Sequence, residues 1–131
     1  MRAGADRLAL IEAYFAALSR GDREAWLACF APEGGLEDPA GTPPRVGRAQ
    51  LTAFLAEVTG PLAEVDIQPT AIHLLGDTAA VSWRARLSAR TGRQTRCEGI
   101  DVFQFSAEGR IFKLTGYWDP QAAFADLGLA G

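Results

Sequence analysis

Three oxygen-bearing side chains have types and positions that could do chemistry. Asp101 lies in Gly99-Ile100-Asp101-Val102-Phe103-Gln104-Phe105. Strand alternation puts it on one face with Phe103 and Phe105, and Ile100, Val102 and Gln104 on the other. A charged carboxylate among aromatic rings is costly, so it keeps its proton or finds a partner. A protonated carboxyl is a hydrogen-bond donor. Alternation alone also admits the reverse assignment, with Asp101 in solvent and Phe103 exposed. Tyr14 sits on a helical apolar stripe, where a tyrosine is either core with its hydroxyl at the edge or a donor into a cavity. Asp38 precedes Pro39 in a Pro- and Gly-rich loop, where it is either a turn opener or a mobile carboxylate. Glu37 beside it reads as the solvated neighbour.

Other chemistries find little support. His73, the single histidine, lies near a strand end with no Ser, Cys or second His at a useful spacing, and reads as structural. No Cys-x-x-Cys spacing occurs, so no metal site of standard ligand type is visible. No Gly-rich phosphate loop is present; Gly47-Arg48 is only a helix start.

The elements that must position these residues divide the chain. Leu8, Ile11, Tyr14, Phe15 and Leu18 recur at helical spacing. Gly21 ends that helix and Asp22 caps the next, whose buried side is Trp26, Leu27 and Phe30. Pro32 and Gly34-Gly35 should end the second helix, leaving a loop through Pro44. A third helix is expected from about Gly47 to Val58, with Leu51, Phe54, Leu55 and Val58 inward, closed by Gly60-Pro61. Strands follow. Val65 and Ile67 alternate with Glu64, Asp66 and Gln68. After a turn at Gly76-Asp77, Ala79, Val81, Trp83, Ala85 and Leu87 face one way, and Ser82, Arg84, Arg86 and Ser88 the other. Thr91-Gly92 breaks the pattern. Further strands are expected over Gly99–Phe105 and Ile111–Trp118, separated by a turn at Glu108-Gly109, and a short helix after Gln121. Helices first and a long-hairpin sheet second make an α+β layout. The sheet must curl over the helices, and the resulting cone has an apolar interior where a ligand fits.

Composition agrees with a single domain over residues 1–131. The chain is 48% hydrophobic and 22% charged, with a formal net charge of -3. That balance argues against disorder, and the absence of a basic stripe argues against nucleic acid as a partner. No segment approaches the roughly 18 apolar residues of a membrane span. Cys29 and Cys97 lack a redox or metal spacing and are expected as free thiols in a reducing cytoplasm.

Several segments carry a resemblance. Ala13-Tyr14-Phe15-Ala16-Ala17-Leu18-Ser19-Arg20-Gly21-Asp22 resembles the first helix of the NTF2-like superfamily. Glu37-Asp38-Pro39-Ala40-Gly41-Thr42-Pro43-Pro44 is similar to the Glu-Asp-Pro-x-Gly-x-x-Pro segment of bacterial ketosteroid isomerases. Ile100-Asp101-Val102-Phe103-Gln104-Phe105, with Gly109-Arg110-Ile111 and Tyr117-Trp118, resembles that family's last hairpin. The likeness runs from about Leu10 to Trp118. It implies an NTF2-like (cystatin-like) cone, with three N-terminal helices packed on a strongly curved, mostly antiparallel sheet. It implies Asp38 as a proton-transferring base, with Tyr14 and protonated Asp101 as donors to an enolate oxygen. The implied reaction turns a 3-oxo-Δ5 steroid into its conjugated Δ4 isomer, without a cofactor. Leu18, Phe54, Trp83, Gly99, Phe103, Leu114, Gly116 and Trp118 are candidates to line the steroid site, with Phe112 on the face of Leu114. The Trp118 indole would donate to Asp38. The best-known members carry a tyrosine relay behind the donor tyrosine; the matching positions here are Phe30 and Leu55. A homodimer is usual in the family, and the outer face with Ile100, Val102, Thr115 and Tyr117 is apolar enough for one. The rival readings are a non-catalytic steroid- or lipid-binding module and another NTF2-like enzyme, such as a SnoaL-type polyketide cyclase.

Overall fold

The computed structural model describes residues 2–129. Helix α1 (Arg2–Arg20) and helix α2 (Arg23–Ala28) meet at Gly21, whose positive φ of 68° turns the chain. Asp22 then caps α2, its Oδ1 accepting from the Ala25 N–H at 3.0 Å. Next come β1 (Phe30–Glu37), β2 (Arg45–Val46) and α3 (Arg48–Thr59). The long strands β3 (Leu62–Leu75), β4 (Thr78–Ala89), β5 (Gln94–Phe105) and β6 (Ile111–Tyr117) follow, then α4 (Pro120–Asp126). The strands form one six-stranded sheet in the order β2-β1-β6-β5-β4-β3. All neighbours are antiparallel except β1 and β6, which run parallel. The fold is α+β with a curved, unclosed mixed sheet. No helix among the described residues is long and apolar enough to cross a membrane.

The α1 stripe packs on the sheet through Ile11, Tyr14, Phe15 and Ala17, while Leu8 lies outside it at 40% exposure. Ser19 fixes α1 to β3: its hydroxyl donates to the Ile67 carbonyl and accepts from the Ile67 N–H, both at 3.0 Å. The expected alternation of β4 is present, with Ala79, Val81, Trp83, Ala85 and Leu87 all buried.

Three expectations need correction. The second helix, expected to include Phe30 and to end at Pro32 and Gly34-Gly35, stops at Ala28, and Phe30–Glu37 is strand β1. Its glycines are there because neighbours come close, not because the chain turns. A Cβ on Gly35 would collide with the Arg45 carbonyl oxygen and lie 2.9 Å from Val46 Cγ2, and one on Gly34 would meet the Ile111 carbonyl oxygen. A register shift between Phe30 and Gly35 accommodates Pro32. Second, β5 begins at Gln94, ahead of the expected Gly99, because its polar outer residues pair with the solvated face of β4. Third, Phe112 does not share the inward face of Leu114. A shift between Gln104 and Phe105 turns Ile111 inward and leaves Phe112 49% exposed.

Since β1 exists only because two backbones can approach its glycines, Gly35→Ala should lower the stability of the fold by about 1–3 kcal/mol. A urea titration with no measurable loss would mean that the β1–β2 contact relaxes freely.

Candidate active site

Asp38 is delivered by β1. The parallel register sets Leu36 beside Leu114 and Glu37 beside Thr115, so the next residue arrives at the level of Gly116. There the absent side chain matters: a Cβ on Gly116 would lie 2.7 Å from the Asp38 carboxyl carbon. The loop is held by the Ala40 N–H donating to the Gly116 carbonyl at 2.7 Å. Glu37, the solvated neighbour, accepts from the Gly41 N–H at 2.7 Å. The Trp118 indole N–H donates to Asp38 Oδ1 at 2.6 Å. Burial raises the Asp38 pKa above the ordinary carboxylate value, and the Trp118 bond pulls it back.

Asp101 sits mid-strand in β5, paired with Gly116 on β6 and Val81 on β4. The strand pairing that places Asp101 thus also places the glycine under Asp38. Asp101 is 4% exposed, so the solvent-facing alternative is excluded. Burial first, then the charge of Asp38, pushes its pKa up to about 8, against a downward pull from the Trp83 indole N–H. At neutral pH Asp101 holds its proton and can donate.

Tyr14 is buried on α1. Its ring meets Phe15 edge-on at 5.2 Å and Phe103 edge-on at 5.4 Å. Burial, then the charges of Asp101 and Asp38, raises its pKa well above the ordinary tyrosine value, so its hydroxyl too keeps its proton.

Tyr14, Asp38 and Asp101 face one cleft, a narrow slot with a cavity of about 70 Å³. Of the residues expected to line it, Leu18, Phe54, Trp83 and Trp118 do. Gly99, Phe103, Leu114 and Gly116 do not. Phe103 and Leu114 are fully buried one layer down, Gly99 lies flat against the Trp83 ring, and Gly116 lies under Asp38. The sequence reading missed the far wall, where Val58, Leu62, Val65 and Ile67 line the slot, and it missed Trp26. Val65 and Ile67 were visible as an alternating pair, and Trp26 as an inward residue of α2, but periodicity does not separate a cavity wall from solid core. A more open cleft at the α1–α2 corner, lined by Arg20, Asp22 and Glu64 among others, is half polar and holds none of the three groups. His73 is exposed on β3. Cys29 and Cys97 are free thiols, and no cluster of metal-ligating side chains occurs among the described residues.

The arrangement combines one carboxylate able to take and return a proton with two proton-holding donors, inside an apolar space. Such donors stabilise an oxyanion better than water does, because they are already oriented.

Comparison with known proteins agrees with this fold. The SnoaL-like domain model matches residues 11–114. A steroid Delta-isomerase of Nocardioides simplex is 33% identical over 112 residues, covering 86% of this chain and 89% of that protein. The epoxide hydrolase LasB of Streptomyces lasalocidi is 35% identical over 111 residues, 80% of this chain but 38% of LasB. Among solved structures, an NTF2-like protein of unknown function from Burkholderia pseudomallei superposes with a TM-score of 0.82 at 21% identity, covering 93% of this chain and 97% of that one. The epoxide hydrolase/cyclase-like enzyme SalBIII, described in pyran ring formation in the polyether salinomycin, gives 0.80 at 25% identity, with 91% and 95% covered.

Two measurements test the site's geometry and charge state. Gly116→Ala should displace the Asp38 carboxyl while leaving the sheet paired; the Trp118 indole N–H resonance should move as its bond to Asp38 lengthens, and an unchanged resonance would refute the contact. Asp101 holds its proton up to about pH 8 in the folded chain but loses it near 3.8 when unfolded. More protons are therefore bound in the folded state across that window, and stability falls as pH rises through it. Wild-type stability should drop relative to Asp101→Asn by about 1.4 kcal/mol per pH unit between roughly pH 5 and 7. Parallel pH curves for the two proteins would show that Asp101 is ionised in the folded state.

Proposed function

The chain belongs to the SnoaL-like family of the NTF2-like superfamily, and from that premise we propose that it is a steroid Δ5-isomerase. The observation that carries the reading is the convergence of Tyr14, Asp38 and neutral Asp101 on one apolar slot. The relative from Nocardioides simplex, matched over most of both chains, supports it.

In this reading a 3-oxo-Δ5 steroid lies in the slot with its ketone oxygen toward Tyr14 and Asp101. Asp38 takes a proton from the carbon between the ketone and the double bond. The electrons move onto oxygen, giving a dienolate. Asp38 then returns the proton two carbons away, and the product is the conjugated 3-oxo-Δ4 steroid. No cofactor enters, because the proton removed is the proton returned. Burial keeps Asp38 basic enough for the transfer, and the Trp118 bond keeps it charged. The slot's walls, Phe54, Trp83 and Trp118 among others, are apolar as a fused ring system requires, and at about 70 Å³ the slot must widen to admit one. A second copy of the chain is the expected partner, on the outer face where Ile100 pairs with Tyr117 and both are exposed.

A second reading has its own support. A carboxylate and a protonated carboxyl facing one space can also open an epoxide, one as base and the other as acid. The likeness to LasB and SalBIII favours that chemistry. Tyr14 favours the isomerase, because on the same slot it would supply a second donor to an enolate oxygen.

Mixed with 5-androstene-3,17-dione, the protein should produce the ultraviolet band of a conjugated enone well above the buffer rate. Asp38→Asn should slow that growth by about 10²- to 10⁴-fold while steroid still binds. Bound steroid with no growth would assign the slot to binding alone. Turnover of an epoxide in place of the enone would favour the second reading.

A further inference from the structure

Trp26 is the largest side chain buried at the back of the slot, 1% exposed. Its indole Nε1–H is shut away from solvent and has no hydrogen-bond partner. A buried N–H without an acceptor is costly, and most are satisfied. Three aromatic rings surround it. Phe30 lies 4.9 Å away at 61°, Phe54 lies 6.4 Å away and nearly parallel at 17°, and Tyr14 lies 6.1 Å away at 40°. Of these only Tyr14 carries an acceptor. The N–H acts on that phenol, drawing its proton affinity down against the larger upward push of burial and the two carboxyl charges. The two rings lie 6.1 Å apart, and in the ligand-free chain the N–H makes no hydrogen bond.

We propose that Trp26 is a positioning residue of the oxyanion site: its indole N–H closes onto the Tyr14 oxygen when Tyr14 donates its own proton to a bound oxyanion. The inference rests on the proposed role of Tyr14 as an oxyanion donor. A hydroxyl that donates to an anion becomes richer in electrons at oxygen and a better acceptor, so consecutive hydrogen bonds strengthen one another. An N–H left unpaired until that moment pairs only in the charged state, which is where a donor contributes to rate instead of to substrate binding. Phe30 and Leu55 supply no hydroxyl behind Tyr14. The Cys29 thiol, which also acts on Tyr14, already donates to the Ala25 carbonyl at 3.4 Å, whereas the indole, in contact with Phe30, is an uncommitted donor. Catalytic hydrogen bonds are often long in ligand-free chains and shorten in the complex, which accounts for a buried donor that is not yet bonded. Asp22 fixes the indole's approach, because it caps α2 and accepts the Trp26 backbone N–H at 3.0 Å.

The test needs no turnover. Heptafluoro-2-naphtholate is a flat anion at pH 7 that presents an enolate-like oxygen, and octafluoronaphthalene has the same shape without one. Wild type should prefer the naphtholate. Trp26→Phe, which keeps a ring and removes the N–H, should lose about tenfold in naphtholate affinity, the size of one hydrogen bond. That loss should exceed any change in octafluoronaphthalene affinity by about the same tenfold, since both ligands meet the altered ring but only one presents an oxyanion. Equal weakening for both ligands would make Trp26 a packing residue and overturn the proposal, as would no weakening for either. If wild type itself shows no preference for the naphtholate, the oxyanion reading of Tyr14 and Asp101 fails instead. Should Trp26→Phe not fold, the wild type decides. It has three tryptophans, hence three indole N–H resonances, and that of Trp26 should move downfield when the naphtholate binds but not when octafluoronaphthalene does. A Trp26 resonance indifferent to the anion overturns the proposal.

Discussion

Two carboxyl groups share one apolar slot, and water cannot reach both to keep them charged. Burial raises both pKa values, and whichever group ionises first makes the second harder to ionise. The division of roles follows from what else each one touches. Asp38 has the Trp118 N–H at 2.6 Å, a bond that favours its charged form. It also stands at the end of a strand, half-buried. Asp101 is mid-strand and nearly sealed, so it pays the larger desolvation cost and stays protonated. Neither state is a property of an aspartate as such. Exchanging the surroundings would exchange the roles.

That division depends on a backbone arrangement more than on side chains. Gly116 faces Asp101 across β5 and β6 and lies beneath Asp38. The parallel pairing of β1 with β6 brings Asp38 to that level. A sheet wholly antiparallel in this region would carry the loop after β1 to the opposite end of β6. The parallel pair is possible because α3 and the long β3–β4 hairpin separate β1 from β6 in sequence, giving the chain room to cross over.

What was legible in the sequence follows from the same physics. The helices α1 and α3 and the strand β4 were readable because each has one face in solvent and one in the core, so the pattern is written in every turn or pair of residues. Asp101 stood out because a carboxylate interrupted the buried half of such a pattern. Strand β1 was not readable: Pro32, Gly34 and Gly35 answer to neighbouring carbonyl oxygens and not to strand propensity. Phe112 was misplaced because a bulge shifts the alternation by one residue, and no residue type announces it. Phe103 and Leu114 show a further limit. Their face was read correctly, but a face does not give depth: both are fully buried, and Tyr14 rests edge-on against Phe103.

Depth is what gives the indoles their importance here. The chain has three tryptophans, and the N–H of each acts on a different one of the three proton-bearing groups: Trp118 on Asp38, Trp83 on Asp101 and Trp26 on Tyr14. An indole suits this position for a reason independent of any particular reaction. It is large enough to fill the space behind a buried acid with apolar surface, which keeps the acid's proton in place. It also carries a single donor that cannot accept, so it never competes for the proton that the acid must offer. A second hydroxyl there would be satisfied in either direction and could drain the first. The indole allows only one direction, toward the oxygen that is becoming more negative. Of the three N–H groups, only that of Trp118 is engaged in the ligand-free chain, and it is the one whose partner carries charge at rest. The two unpaired indoles face groups that stay neutral until something negative arrives. The pattern of filled and unfilled donors thus follows where charge sits at rest and where an incoming oxyanion would require it.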